Sequence, residues 1–121
     1  MITVTEEDFD ISKTIEEATH PDVGAIVTFT GIVRDDGING MEIGADEEPA
    51  MQELGRIREE ALKRFDIKSL DIIHRTGRLS VGERILFIVC SAPHRKDAFA
   101  ACEYTMDELQ KIVSIRKREL T

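Results

Sequence analysis

The sequence contains no tryptophan, one tyrosine, three prolines and only two cysteines among its 121 residues. Cys90 and Cys102 form no Cys-x-x-Cys pair and both lie in apolar patterns, so we predict two buried free thiols and neither a metal nor a cofactor. No apolar run approaches the roughly 18 residues that a membrane-spanning helix requires. The first ten residues lack the basic and apolar stretches of a secretory signal, so we expect a cytoplasmic protein without a membrane partner.

Positive charge is also scarce, because 16 Lys and Arg residues stand against 24 Asp and Glu residues and the formal net charge is −8. Nucleic-acid binding depends on a basic surface that displaces counterions from phosphates. The composition therefore argues against a nucleic-acid partner, and any anion site must be local. The length predicts a single domain over residues 1–121.

Hydrophobic periodicity predicts an α+β fold in which helices are segregated from hairpin-like strands. β-Branched residues predict a long strand at 24–34, and a nearly continuous apolar run predicts a buried central strand at 85–90. Apolar spacings of three and four predict a helix ending near Phe65 and a last helix that starts at Pro93 and carries Val113 in its stripe. Shorter elements are predicted at 2–4, 11–18, 41–43 and 70–75.

Basic residues gather at a few places despite the acidic composition, and each place has more than one interpretation. Arg34 ends the long predicted strand, where it could clamp a phosphate in a two-pronged contact or pair with Asp35 or Asp36. His74, beside Arg75, lies midway along a predicted strand. A histidine in that position is expected to be packed and hydrogen-bonded.

Two further basic clusters accompany the predicted last helix. His94, Arg95 and Lys96 fall in its first turn, where free backbone N–H groups favour an anion, although a solvated helix start is the alternative. His94 could also relay a proton near neutral pH. Lys111 and the run 116–118 either suit the negative end of the helix dipole or supply a lysine that protonates a leaving group or holds a phosphate.

Three blocks of sequence resemble the large subunit of molybdopterin synthase, the MoaE family: GAIVTFTGIVRDD at 24–36, IHRTGRLSVGERILFIV at 73–89 and SAPHRKDAFAACEYTMDEL at 91–109. The resemblance implies a hammerhead-type fold with an antiparallel or mixed sheet and three helices. It also implies a homodimer that binds two small ubiquitin-like sulfur-carrier subunits ending in Gly-Gly, giving a heterotetramer. The implied reaction moves sulfur from the carrier's thiocarboxylate to cyclic pyranopterin monophosphate in molybdenum cofactor biosynthesis.

Carried over by position, the resemblance implies one cationic pocket built from a strand end and the start of the last helix. Lys117 falls where the family has its second essential lysine, whereas Gln110 occupies the place of the first, with Lys111 next to it. The implied catalytic residues are His94, Lys111 and Lys117. The implied substrate-binding residues are Ile32, Val33, Arg34, His94, Arg95, Gln110, Lys117, Arg118 and Glu119.

Gln110 leaves a second interpretation open. An amide hydrogen-bonds but cannot accept an acyl group as an amine does. The segment GADEEP at 44–49 also replaces a histidine-tyrosine-proline-glycine stretch that is typical of the family. The alternative to an active sulfurtransferase is therefore an altered or inactive homologue that serves as a partner-binding or assembly module.

Overall fold

The computed structural model describes residues 1–121 and contains seven strands and three helices. The prediction of an α+β fold is confirmed. In chain order the elements are β1 (Ile2–Thr5), α1 (Ile11–Glu17), β2 (Ala25–Ile32), β3 (Gly40–Ala45), α2 (Glu47–Arg64), β4 (Ser69–Arg75), β5 (Gly77–Leu79), β6 (Arg84–Ala92), α3 (Arg95–Leu109) and β7 (Ile115–Leu120).

The strands form a four-stranded sheet of order β1-β4-β6-β2 and a three-stranded sheet of order β5-β3-β7. β6 lies inside the larger sheet, and every residue from Ile85 to Ala92 is buried. Successive side chains of a strand point to opposite faces. One face of the sheet contributes Leu86 and Ile88 to the main core, and the other contributes Phe87 and Val89 to a smaller cluster with Ala18. A strand covered on both faces must be apolar throughout, which explains the unbroken run.

α2 shows the charge pattern that favours a helix at both of its ends. Glu47 and Glu48 lie in its first turn, and Lys63 and Arg64 lie in its last turn, so that each pair complements the helix dipole. One stripe of α2 is buried, and its members are Ala50, Leu54, Ile57 and Ala61. None of the three helices combines the length and the apolar character needed to cross a membrane.

The last helix ends earlier than its apolar stripe predicts. α3 stops at Leu109, and Val113 is 82% exposed, so the prediction that the helix carries Val113 in its stripe is wrong. Ser114 anchors the following turn, because its backbone N–H and its hydroxyl both donate to Oε1 of Glu53 on α2. Residues 115–120 beyond that point form a strand because the edge of β3 is available to pair with them. Residues 116–118 therefore lie on a strand, and the helix-dipole explanation of their charge is wrong.

Candidate functional site

Two cavities lie beside β7 and share one residue, Lys117. The larger, which we call the β3–β7 groove, is open, has a volume of about 830 Å³, and is lined by residues 4–6, 42–45, 47, 76–77 and 116–118. The smaller, which we call the α3 cavity, has a volume of about 380 Å³. The α3 cavity is lined by His74, Leu86, Met106, Leu109, Gln110, Ile112, Ile115 and Lys117.

Lys117 lies on the face of the small sheet that covers the core. It is directly opposite Ile43 in the β3–β7 register, and opposed residues of paired strands share a face. Ile43 is 2% exposed, which identifies that face as the inner one. The flanking residues Arg116 and Arg118 lie on the other face, where each forms a salt bridge with a carboxylate, at 3.0 and 2.7 Å respectively. Lys117 forms no salt bridge, so its positive charge is the one on β7 that remains available to an anionic ligand in the α3 cavity.

Gln110, and not Lys111, belongs to the wall of the α3 cavity. Gln110 caps α3, and its backbone N–H donates to the carbonyl of Met106. Lys111 points into solvent, with its side chain 73% exposed and its Nζ 2.6 Å from Oε2 of Glu108. The hydrogen bond to Glu108 raises the pKa of Lys111. The structure thus places Lys111 outside the cavity that Gln110 and Lys117 line.

His74 forms the inner wall of the α3 cavity and is only 4% exposed. Its Nδ1 lies 2.9 Å from the carbonyl oxygen of Arg75. Because a carbonyl only accepts, Nδ1 carries the hydrogen, and in the neutral ring Nε2 holds a lone pair. Burial lowers the pKa of His74, and the charge of Lys117 lowers it further against the opposing effect of the Arg75 carbonyl. The prediction of a packed, hydrogen-bonded histidine is confirmed.

The sequence pattern does not predict that His74 lines a cavity. The available signal was one polar ring among apolar residues on the inner face of β4, where Leu70 and Ile72 precede it at intervals of two. A strand pattern shows which face a side chain occupies. It does not show whether the neighbouring elements fill the space above that side chain or leave it open.

Arg34 and its two neighbours lie away from both cavities. The Nε of Arg34 donates to Oδ2 of Asp36 at 3.0 Å, and the arginine side chain is 83% exposed. The ion-pair interpretation of Arg34 is therefore confirmed for the single chain. Val33 is 1% exposed and belongs to the main core, so the expectation that it lines an approach to substrate is wrong. Ile32 is 55% exposed at the end of β2.

The cationic start of α3 lies at the opposite end of the β2–β6 ladder from Arg34. His94 follows the end of β6, whereas Arg34 follows the end of β2, which pairs with the beginning of β6. Eight residues of β2 at about 3.3 Å each separate the two ends by roughly 25 Å. The expectation of one pocket holding Arg34, His94 and Arg95 is therefore wrong for a single chain. Because β2 and β6 are antiparallel, their carboxyl-terminal ends lie at opposite ends of the ladder.

The three basic residues at the start of α3 are free of ion pairs. His94, Arg95 and Lys96 are all exposed, and His94 caps the helix through its backbone without a side-chain hydrogen bond. Asp97, the one acidic residue of the first turn, accepts a bond from the backbone N–H of Asp66 instead of pairing with them. This end of the protein therefore presents uncompensated positive charge at a helix N-terminus, where backbone N–H groups also favour an anion.

Arg118 and Glu119 complete the predicted set. Arg118 borders the β3–β7 groove, where its hydrogen bond lowers the pKa of Glu42. Glu119 lies on β7 opposite Met41 of β3. Its side chain is exposed and lines neither cavity. Of the predicted site residues, the α3 cavity therefore brings together Gln110 and Lys117 and leaves the others elsewhere.

Cys90 and Cys102 are buried free thiols, as the sequence predicts. Burial raises the pKa of Cys90 to about 12 and also raises the pKa of Cys102. The thiolate is the reactive form of cysteine, and it is scarce for both residues at neutral pH. Neither cysteine is therefore suited to carry sulfur.

We expect the native protein to show almost no reaction with a water-soluble aromatic disulfide at pH 8, because both thiols are buried and protonated. In denaturant the same reagent should titrate two thiols per chain. Rapid native reaction of even one thiol would show that the core opens around β6 or α3.

The family model, the relatives in sequence and the solved structures that match this chain all belong to one family and cover most of its length. The family model described as MoaE protein matches residues 4–112. A molybdopterin synthase catalytic subunit from Pyrococcus abyssi is 43% identical over 119 residues, covering 95% of this chain and 80% of the relative. The same subunit from Mesorhizobium japonicum is 34% identical, with 98% and 77% covered. The crystal structure of molybdopterin synthase from Staphylococcus aureus superposes with a TM-score of 0.89 at 32% identity, covering 98% of this chain and 89% of that chain.

Proposed function

The chain belongs to the MoaE family of molybdopterin synthase catalytic subunits, and we propose that it transfers sulfur to cyclic pyranopterin monophosphate in molybdenum cofactor biosynthesis. The sulfur donor in this proposal is a small ubiquitin-like carrier whose Gly-Gly end bears a thiocarboxylate. The acceptor carries a phosphate, so the reaction needs an anion site. Transfer from a thiocarboxylate also needs a group that stabilises the charge developing at the carrier's acyl carbon. The two requirements fall on different parts of the chain.

The observation that carries the proposal is the junction at Lys117. This lysine is the one residue that lines both the groove and the α3 cavity, and it forms no salt bridge while both neighbouring arginines do. A fixed positive charge beside apolar walls stabilises negative charge that develops on a carbonyl oxygen or a departing thiolate. Lys117 is thus the group around which acyl and sulfur chemistry is arranged.

The β3–β7 groove supplies the route by which the carrier's tail reaches Lys117. The groove is open to solvent and is lined by both carboxylates and guanidiniums, with Glu42 paired with Arg118. Mixed, paired charge of this kind suits an extended peptide backbone more than a flat heterocycle. A Gly-Gly end has no side chains to obstruct its passage, and its acyl carbon would stop beside the ammonium of Lys117.

The phosphate site in this proposal is made by two copies of the chain. Arg34 and the His94–Arg95 pair are roughly 25 Å apart along one ladder, but a twofold axis can set Arg34 of one copy against the helix start of the other. The guanidinium then clamps the phosphate while the helix start adds backbone N–H groups. β2 is an unpaired edge of the four-stranded sheet and exposes Ile32, which gives a second copy a surface to cover.

Gln110 favours one second candidate function, that of a partner-binding module. Its amide is the group at the cavity wall where the family resemblance implies an amine, and the neighbouring Lys111 is directed to solvent in its contact with Glu108. In the active protein the amide N–H would hydrogen-bond the acyl oxygen, leaving Lys117 as the single amine of the cavity. In a module, the groove would bind the carrier without turnover.

The deciding experiment mixes the purified chain with a thiocarboxylated carrier and cyclic pyranopterin monophosphate. Intact mass spectrometry should show exchange of sulfur for oxygen at the carrier's end, together with a dithiolene-bearing pterin. A carrier with an ordinary carboxylate end serves as the control and should change in neither respect. Tight binding of the carrier without discharge would replace the enzyme by the module.

A further inference from the structure

The proposed reaction needs a proton acceptor in the α3 cavity, and neither Lys117 nor Gln110 supplies one. Once sulfur is bonded to the pterin, water must add to the carrier's acyl carbon, and that water must lose a proton. Lys117 as an ammonium has three donors and no lone pair, and the Gln110 amide is not a base. His94 lies at the far end of the β2–β6 ladder. A base is therefore missing from the α3 cavity unless another residue of its wall provides one.

His74 has an unused nitrogen that opens to this cavity. Its Nδ1 is engaged by the carbonyl of Arg75, and its Nε2 has no hydrogen-bond partner. No fully buried polar side-chain atom of the protein lacks a partner. The Nε2 atom is therefore not sealed within the protein, and the cavity wall that His74 forms is where it reaches open space.

The groups around the ring keep this nitrogen neutral and leave Lys117 as its charged neighbour. Val4 and Leu86 lie opposite His74 on the neighbouring strands β1 and β6, and Met106 and Leu109 of α3 line the cavity with it. The guanidinium of Arg75 lies on the other face of the sheet, bonded to the carbonyls of Glu6 and Arg84. From β7, Lys117 faces the cavity and is the charged group that acts on His74.

We propose that His74 is the proton acceptor of the α3 cavity, an inference that rests on the proposed function. Its Nε2 takes a proton from the water that attacks the acyl carbon beside Lys117. The water oxygen forms the new C–O bond, the C–S bond breaks, and its electron pair leaves with the sulfur, which stays on the pterin as a thiolate. The carrier is left with a carboxylic acid that ionises. The bond from Nδ1–H to the Arg75 carbonyl holds the ring in place and stabilises the imidazolium.

Two variants of His74 test this role in the complex of chain, carrier and pterin substrate. His74→Leu places an apolar side chain without a lone pair in the buried site. We expect carrier discharge to slow by about 100-fold or more, the range for a lost general base. His74→Gln retains an acceptor that does not titrate. We expect it to discharge slowly and with a flat pH profile, while carrier binding by both variants stays near wild type. The melting temperature should fall by several degrees for His74→Leu, because the Arg75 carbonyl loses its donor.

The pH profile separates a catalytic from a merely structural role. For wild type, the discharge rate should be constant at high pH and should fall as pH drops through the pKa of His74, which lies below its ordinary value of 6.5. The sign follows because only the neutral ring accepts a proton. A wild-type rate that stays constant as pH falls from 6.5 to the onset of acid unfolding, or a His74→Leu protein that discharges at the wild-type rate, overturns the role. If His74→Leu does not fold, His74→Gln and the wild-type profile decide.

Failure of this inference is distinguishable from failure of the proposed function. A wild-type protein that leaves the thiocarboxylate intact refutes the sulfur-transfer proposal, and the role of His74 falls with it. Active wild type together with an equally active His74→Leu variant refutes the role of His74 alone.

Discussion

Lys117→Ala is expected to slow sulfur transfer by about 100- to 1000-fold, which is the usual cost of removing one preorganised group that stabilises a transition-state charge. Lys117 lines both the groove and the cavity and forms no salt bridge, and it is the one lysine or arginine among the residues that line the α3 cavity. The fold should survive, because the side chain is exposed and the β3–β7 ladder is held by backbone bonds. Single-turnover discharge of the carrier, followed by mass, measures the rate.

Lys111→Ala is the matched control for this experiment. It removes the same functional group six positions earlier in the chain, where the ammonium faces solvent and contacts Glu108. We expect its rate to stay within about twofold of wild type, since exposed ion pairs of this kind contribute little. A loss equal to that of Lys117→Ala would mean that the end of α3 turns Lys111 into the cavity when the carrier binds.

Arg34→Ala and His94→Ala are each expected to lower activity about 100-fold, yet a mixture of the two proteins should recover about a quarter of wild-type activity. If the phosphate site takes Arg34 from one copy and His94 from the other, half of the dimers formed after reassortment are mixed. Each mixed dimer has one intact site and one doubly damaged site. The measurement is pterin conversion before and after the two variants are partly unfolded together and refolded.

A mixture of His94→Ala with Arg95→Ala provides the control for the two-copy site. These residues are adjacent and are contributed to a site by the same copy, so every site in every mixed dimer lacks one of them. This mixture should recover no activity. Recovery in neither mixture would contradict the two-copy site, because it would mean that no intact site is reassembled from damaged chains.

The sequence predicts the elements whose side-chain pattern is dictated by burial alone. The unbroken apolar run of β6 and the amphipathic stripe of α2 lie where the periodicity places them. The two buried thiols follow from the same reasoning. Family membership is also predicted from the sequence, because three contiguous blocks resemble the family. The family model, which matches residues 4–112, confirms this prediction. Each of these features depends on residues that are close in the chain.

The candidate site depends instead on which distant segments pair. The stripe through Val113 predicts a continued helix, but pairing with β3 and the anchoring of Ser114 on Glu53 turn the segment into a strand. That pairing puts Lys117 on the inner face of the small sheet. The sequence shows a basic tail in either case and cannot show which of its cations stays unpaired.

By itself, the sequence determined the class of fold, the buried strand and helix, and the family, since local periodicity and contiguous motifs record them. Only the tertiary structure decided that Gln110 and not Lys111 faces the α3 cavity, that the His74 ring lines this cavity, and that Arg34 lies far from His94 in one chain. The physical reason is that an open cavity and a strand register are properties of segments brought together from distant parts of the chain, and side-chain pattern within one segment carries no information about either.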